Sequence, residues 1–239
     1  MTIPTQKFMQ QLELGYQERS DLRDRAWYKI FYSQLVRADL LVLGINPGGD
    51  PKKPKELMSA STTYYENWEH DYVDEEYPLQ KAMLPFLKNI LNINKESIRL
   101  IPKTNLIFRR SPKMSEFKTL HEMTETQAMI EAVPAIKQIM EFVQPKMVLL
   151  EGTSLRDKFR VRYCSGQISE LTEPIKDKHR GQRVNIFTAN NMHVNCLGRE
   201  LPVVAIGHPS HFGGRPVWGS VQQATRSICE RFNIQVKSG

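Results

Sequence analysis

Three short apolar runs constrain this chain more than any other feature: "DLLVL" (39–43), "KMVLL" (146–150) and "LPVVAIG" (201–207). None alternates apolar with polar residues, so each reads as a strand covered on both faces. The pattern predicts strands over 38–44, 98–108 (ending near Asn105), 146–152 and 201–207, with a further strand at 183–187. Helical spacing predicts amphipathic helices over 5–19 and 23–37, where Trp27, Ile30, Phe31 and Leu35 fall on one side. Further helices are expected over 79–91, 124–143 and 217–232, and another begins at Thr153 or Ser154 as N-cap. Strands alternating with helices give a parallel sheet with helices on both faces. Ligands then bind at the carboxyl ends of the strands.

At 239 residues the chain can build one sizeable core, and a single domain over 1–239 is expected. It comprises an N-terminal helical segment (1–37) and a less regular basic insertion (156–200). No run reaches the roughly 18 apolar residues of a membrane span. The N-terminus lacks a signal-peptide layout, so an intracellular, cytoplasmic protein is expected. Cys164, Cys196 and Cys229 are far apart, which fits free thiols rather than a zinc ribbon, an iron–sulfur cluster or a disulfide framework. The net charge of +7 is uneven: residues 1–100 carry 13 Lys+Arg and 14 Asp+Glu, whereas residues 101–239 carry 20 and 12. A basic C-terminal half fits a polyanionic partner, nucleic acid first, or else a merely basic surface. The acidic run Glu66, Glu69, Asp71, Asp74, Glu75 and Glu76 lacks metal-loop spacing and reads as a solvated face.

Three loops at strand ends carry chemistry. "GINPGGD" (44–50) has the glycine spacing of a phosphate loop, but Asp50 stands where that loop needs a lysine. It is a close-approach loop with one polar tool, Asn46, or simply a tight turn. "IGHPSHFGGRP" (206–216) places His208 and His211 in a proline-containing loop without a neighbouring Cys or carboxylate, so a metal site is not expected. Its G-x-x-S-x-x-G spacing is not that of a serine nucleophile elbow. "TNLIFRRSP" (104–112) offers an amide, Asn105, then Arg109 and Arg110.

"GINPG" after one strand and "HPS" after a later one resemble the two signature motifs of the uracil-DNA glycosylase superfamily. The first is closest to the mismatch-specific uracil/thymine branch and also like the single-strand-selective branch. "TNLIFRRSP" looks like the intermediate strand that supplies a base-reading Asn, and "VLLEGTSL" (148–155) like the strand–glycine–helix segment between them. The motifs occur in family order. The resemblance implies a three-layer α/β/α sandwich around a central, mostly parallel sheet of four or five strands. It also implies a monofunctional glycosylase, a monomer acting on DNA, with no metal, cofactor or membrane.

Carried over residue by residue, Asn46 positions the attacking water, and His208 stabilises the departing base. Asn105 reads the base edge, and Gly44, Ile45 and Gly48 line the pocket. Ser210 with Gly213 and Gly214 meets phosphates; Phe212, with His211 or Arg215, fills the gap left by a flipped nucleotide. Arg109, Arg110 and the basic 156–183 stretch supply phosphate attraction. An amide orients water but is a poor base, so a modest rate or a readily leaving base is expected. Uracil-strict members carry a Tyr where this chain has Gly48, so a bulkier 5-modified pyrimidine fits the pattern as well as uracil. The branch most like "TNLIFRRSP" holds an iron–sulfur cluster through four cysteines, which this chain lacks. The stacking aromatic expected soon after "GINPG" is displaced to Tyr64, Tyr65 or Trp68, of which Tyr65 is assigned to the pocket. Repair of damaged bases and defence against modified phage DNA both follow. The alternatives are a catalytically silent nucleic-acid-binding module on the same fold and a phosphate-binding enzyme, the latter opposed by Asp50.

Overall fold

A computed structural model describes residues 2–49, 51–52, 70–74, 78–179, 181–212 and 214–236. It contains a six-stranded sheet in the order β2-β1-β3-β6-β5-β4. Strands β1 (Leu40–Gly44), β2 (Lys103–Asn105), β3 (Met147–Glu151) and β6 (Arg199–Ile206) are parallel. The hairpin of β4 (Cys164–His179) and β5 (Gln182–Val194) extends the sheet antiparallel to β6. The sheet thus has six strands rather than the four or five expected, and two of its five pairings are antiparallel. Residues 164–194 account for the difference: the stretch that reads as an irregular insertion with one short strand is two long paired strands. Along much of β4 the residues are polar and half-exposed, which hides the period-2 signal of a half-buried strand.

The apolar runs bury both faces, as their continuity requires. Leu41, Leu43, Val148, Leu150, Val203 and Ala205 face one core, and the alternate residues Leu40, Val42, Met147, Leu149, Val204 and Ile206 face the other. Helices α1 (Thr2–Ser20), α5 (Glu125–Val143) and α6 (Leu155–Tyr163) contribute to the first core. The short α2 (Asp71–Asp74), α3 (Pro78–Leu91) and α8 (Trp218–Arg231) cover the second. Two further helices, α4 (Met114–His121) and α7 (Pro209–Phe212), follow strands β2 and β6. A capping box starts α5: Gln127 N–H donates to Thr124 Oγ1, and Thr124 N–H donates to Gln127 Oε1. At α6, Ser154 sits at the cap position without a side-chain bond, while Thr153 Oγ1 donates to Asn185 O of the hairpin.

The expected helix over 23–37 does not form. Only Arg25–Trp27 makes a 3-10 turn, capped by Ala26 N–H donating to Asp24 Oδ1. The rest lies extended along the β2 edge. Lys29 N–H donates to Phe108 O and Arg110 N–H to Trp27 O, while Thr104 Oγ1 donates to Ile30 O and Lys103 N–H to Ser33 Oγ. Covering an open sheet edge satisfies backbone groups at both elements, and this outweighs the helical spacing of the apolar residues. Those residues, Ile30, Phe31 and Leu35, are buried all the same.

Candidate active site

Four residues form a row across the carboxyl end of the parallel strands, all on the α3/α8 face. Gly44 pairs with Asn105, Leu43 pairs with Leu150 so that Gly44 lies next to Glu151, and Glu151 pairs with Ile206. The glycine in the middle is required by its neighbours. A Cβ at Gly44 would lie 2.1 Å from Asn105 Oδ1 and 3.0 Å from Glu151 Oε2. Both polar side chains therefore lean over the bare Cα. Although 3% exposed, Asn105 makes no side-chain hydrogen bond among the described residues, and neither of its amide atoms is fully sealed. An amide held buried and unbonded carries a desolvation penalty that a hydrogen-bonding partner would offset.

Beyond Gly44 the loop is tied to the chain that follows β2. Leu106 N–H donates to Gly44 O, Ile107 N–H to Ile45 O and Ser111 N–H to Pro47 O. Asn46 is half-buried in this frame. Its Nδ2 donates to Pro47 O at 2.9 Å and approaches Ser111 O at 3.5 Å. Two carbonyl oxygens on that side fix which end of the amide is nitrogen. Oδ1 is left without a hydrogen-bond partner among the described residues.

Across the sheet, His208 follows β6 and is half-buried. Its Nδ1 lies 2.7 Å from Ser210 Oγ. Burial pushes its pKa down to about 4, helped by the nearby His211 and Lys103. The imidazole is therefore neutral at neutral pH. His211 is exposed, with its ring 5.4 Å from that of His208.

Behind the row lies a charged cluster. Lys103, 2% exposed, donates to Asp71 Oδ2 at 2.7 Å and sits 3.8 Å from Glu151 Oε2. Lys29 lies 3.7 Å from Asp71 Oδ1. The Lys103 ammonium is 4.0 Å from the Tyr72 ring centroid, and Tyr72 O–H donates to Glu151 Oε1. Burial raises the Glu151 pKa, against the pull of Lys103 and the Tyr72 hydroxyl. The short α2 that carries Asp71 and Tyr72 is pinned by His70, whose Nε2 bonds Ile101 O while Nδ1 accepts Tyr72 N–H. Sequence reading missed Glu151, Lys103, Asp71 and Tyr72. A legible signal was the ionisable residue closing "MVLLE", an otherwise apolar strand. Asp71 departs from the solvated face expected of the acidic run, being buried and ion-paired, whereas Asp74 is exposed and paired with Arg99 at 2.5 Å. The other acids of that run lie outside the described residues.

No model of a known protein family matches the chain, and no curated protein matches it.

Gly48 is exposed, and a Cβ there would meet nothing within 4 Å among the described residues. Tyr64, Tyr65 and Trp68 lie outside the described residues, as do Asp50 and Gly213. Three residues expected to meet DNA are placed elsewhere. Arg109 is 9% exposed, and its guanidinium is bound by Glu131 at 2.7 Å and Ser20 O at 3.1 Å. Arg110 is 3% exposed and donates to Gly48 O at 3.2 Å, so it braces the loop from within. Phe212 is 6% exposed and packs against Gly207 and the second core. Partners from other elements hold the two arginines and the second core takes Phe212, where sequence order alone suggests a surface tip. Ser210 and His211 are exposed on α7, whereas Arg215 is half-buried and binds Asp177 of the hairpin.

Among the described residues no group of three or more His, Cys, Asp or Glu could hold a metal, and no helix is long and apolar enough to cross a membrane. The three cysteines are unpaired, and burial pushes Cys164 and Cys229 up to about 12 and Cys196 to about 11, so none is a ready nucleophile.

Proposed function

We propose that this chain is a DNA glycosylase, which flips a uracil-like or 5-modified pyrimidine out of DNA and hydrolyses its N-glycosidic bond, leaving an abasic site. The carrying observation is the Asn46 amide, anchored through Nδ2 so that Oδ1 keeps its acceptor capacity unused among the described residues. An acceptor fixed in this way orients a water molecule toward the sugar. The water oxygen attacks C1′ as the C1′–N1 bond breaks, its electron pair leaves on the base, and the proton lost by the water ends on that base.

The other groups suit the same step. Asn105, unbonded and reachable, pairs with the base edge, as readers of flipped bases do. In the tautomer that accepts the Ser210 hydroxyl at Nδ1, neutral His208 carries its proton on Nε2 and donates to the base as charge develops there. A neutral imidazole keeps this donor without a full positive charge in the apo site. Strands lie about 4.8 Å apart, so the β1 and β6 loops stand roughly 10 Å apart at the backbone, room for a planar base between them. The open position at Gly48 accommodates a 5-substituent, which leaves both base-excision repair and defence against modified phage DNA as settings.

The test is release of free base, identified by mass spectrometry, from DNA carrying uracil, 5-hydroxymethylcytosine or a glucosylated cytosine. Asn46→Ala is expected to lower the single-turnover rate by about 10²–10³-fold, the scale of losing one oriented catalytic contact. Intact DNA binding with no abasic sites on every substrate would instead favour a silent binding module.

A further inference from the structure

The β4–β5 hairpin does not stop where the parallel strands stop. The last pair of β5 with β6 is Phe187 with Ile206, and residues 182–186 continue past it on the His208 side. At about 3.3 Å per residue this is an overhang of roughly 15 Å beyond the carboxyl end of β6. The hairpin is braced there, because Arg215 Nη1 binds Asp177 Oδ2 at 3.0 Å and Lys178 O at 2.5 Å. Ile175 and Val184 pack inward on the second core. The alternate residues Lys176, Lys178 and Arg183 are exposed on the other face. None of the three makes an ion pair among the described residues.

Lys178 pairs directly across the strands with Arg183. Like charges in that position destabilise a hairpin. Blunting the open β4 edge against self-association explains Lys176 and Lys178, since lysines on an edge strand do that. It does not explain Arg183 on β5. A cation pair held at a cost to the hairpin, on an overhang beside the site, is what a polyanion would offset.

We propose that the outward face of this hairpin, carried by Lys176, Lys178 and Arg183, is an arm that grips the phosphate backbone of DNA next to the extruded nucleotide. The proposal rests on the glycosylase reading for its partner. It adds a contact surface outside the pocket that is independent of base identity.

The test uses Arg183→Glu and the triple variant Lys176→Gln/Lys178→Gln/Arg183→Gln in the full chain, with unmodified and uracil-containing duplexes. In Arg183→Glu the like-charge pair becomes an opposite-charge pair, so the Tm is expected to hold or rise while DNA affinity falls roughly tenfold at ~0.1 M salt. The triple variant is expected to flatten the slope of log K against log salt by about two to three. Single-turnover excision at saturating DNA should stay within about twofold of wild type, since these residues lie outside the pocket. Unchanged affinity and salt slope in both variants would overturn the arm, as would a wild-type protein that does not bind DNA. A flattened slope in a protein that excises nothing would support the arm while the glycosylase reading fails.

Discussion

Asn105 occupies the space that a side chain at Gly44 would need: a Cβ there would sit 2.1 Å from Asn105 Oδ1. Glycine at the end of β1 is thus a requirement of the neighbouring strand as well as of the turn that follows. Gly44→Ala is expected to expel the Asn105 amide from its place. Base release should fall at least about 100-fold, and stability by about 1–3 kcal/mol, the range for overpacking a tight site. Single-turnover excision and urea denaturation on the same preparation check both. Wild-type excision in Gly44→Ala would remove Asn105 from base reading.

His70 and His208 both have pKa values pushed down from 6.5 to about 4, chiefly by burial. A depressed folded-state pKa gives stability that is fully present above about pH 6.5 and is lost as pH falls through about 4. For His70, 1% exposed, the depression corresponds to about 3 kcal/mol at the acid end. The raised pKa of Glu151 acts in the opposite sense, contributing below its unfolded value and losing that contribution as pH rises. Urea midpoints measured from pH 7.5 to 4.5 should therefore fall toward acid, and His70→Gln should reduce the slope. Excision should keep an acid limb near pH 4; a limb at pH 6.5 that disappears in His208→Asn would show a charged imidazole instead.

Arg109 is bound within the fold by Glu131, which also accepts from Tyr16 O–H at 2.5 Å. Arg109→Ala leaves Glu131 deprived of its cation, and removing one partner of a buried pair costs about 3–5 kcal/mol. At temperatures where the variant is folded, its DNA affinity and salt slope should match wild type. A drop in the salt slope without loss of stability would return Arg109 to the DNA interface.

A Cβ at Gly48 meets nothing within 4 Å among the described residues, so Gly48→Tyr should fold normally and, on the glycosylase reading, narrow the pocket. Excision of 5-substituted pyrimidines is expected to fall more than about tenfold relative to uracil, the scale on which a pocket discriminates by bulk. Equal rates on both substrates would show that the gate lies elsewhere.

Much of the sheet was readable from the chain, because a strand buried on both faces has no alternative to a continuous apolar run. The runs at 39–43, 146–150 and 201–207 became β1, β3 and β6, and the capping box at Thr124 and Gln127 begins α5 where helical periodicity starts. Glycine-rich and histidine-bearing loops after such strands could be placed at one end of the sheet for the same reason. The 23–37 segment failed because its apolar spacing fits a helix equally well, and only the open β2 edge decides otherwise. The hairpin failed because its exposed strand carries little apolar pattern.

Local sequence determined what each element is made of and which loops carry Asn46, Asn105 and His208. Tertiary structure alone decided which groups converge. Glu151, Lys103 and Asp71 lie far apart in the chain and meet through strand order and register. Arg109 against Glu131 and Phe212 in the second core are buried likewise by what packs on them from elsewhere in the chain. Asn46 became a one-ended acceptor only when the carbonyls of Pro47 and Ser111 closed on its nitrogen.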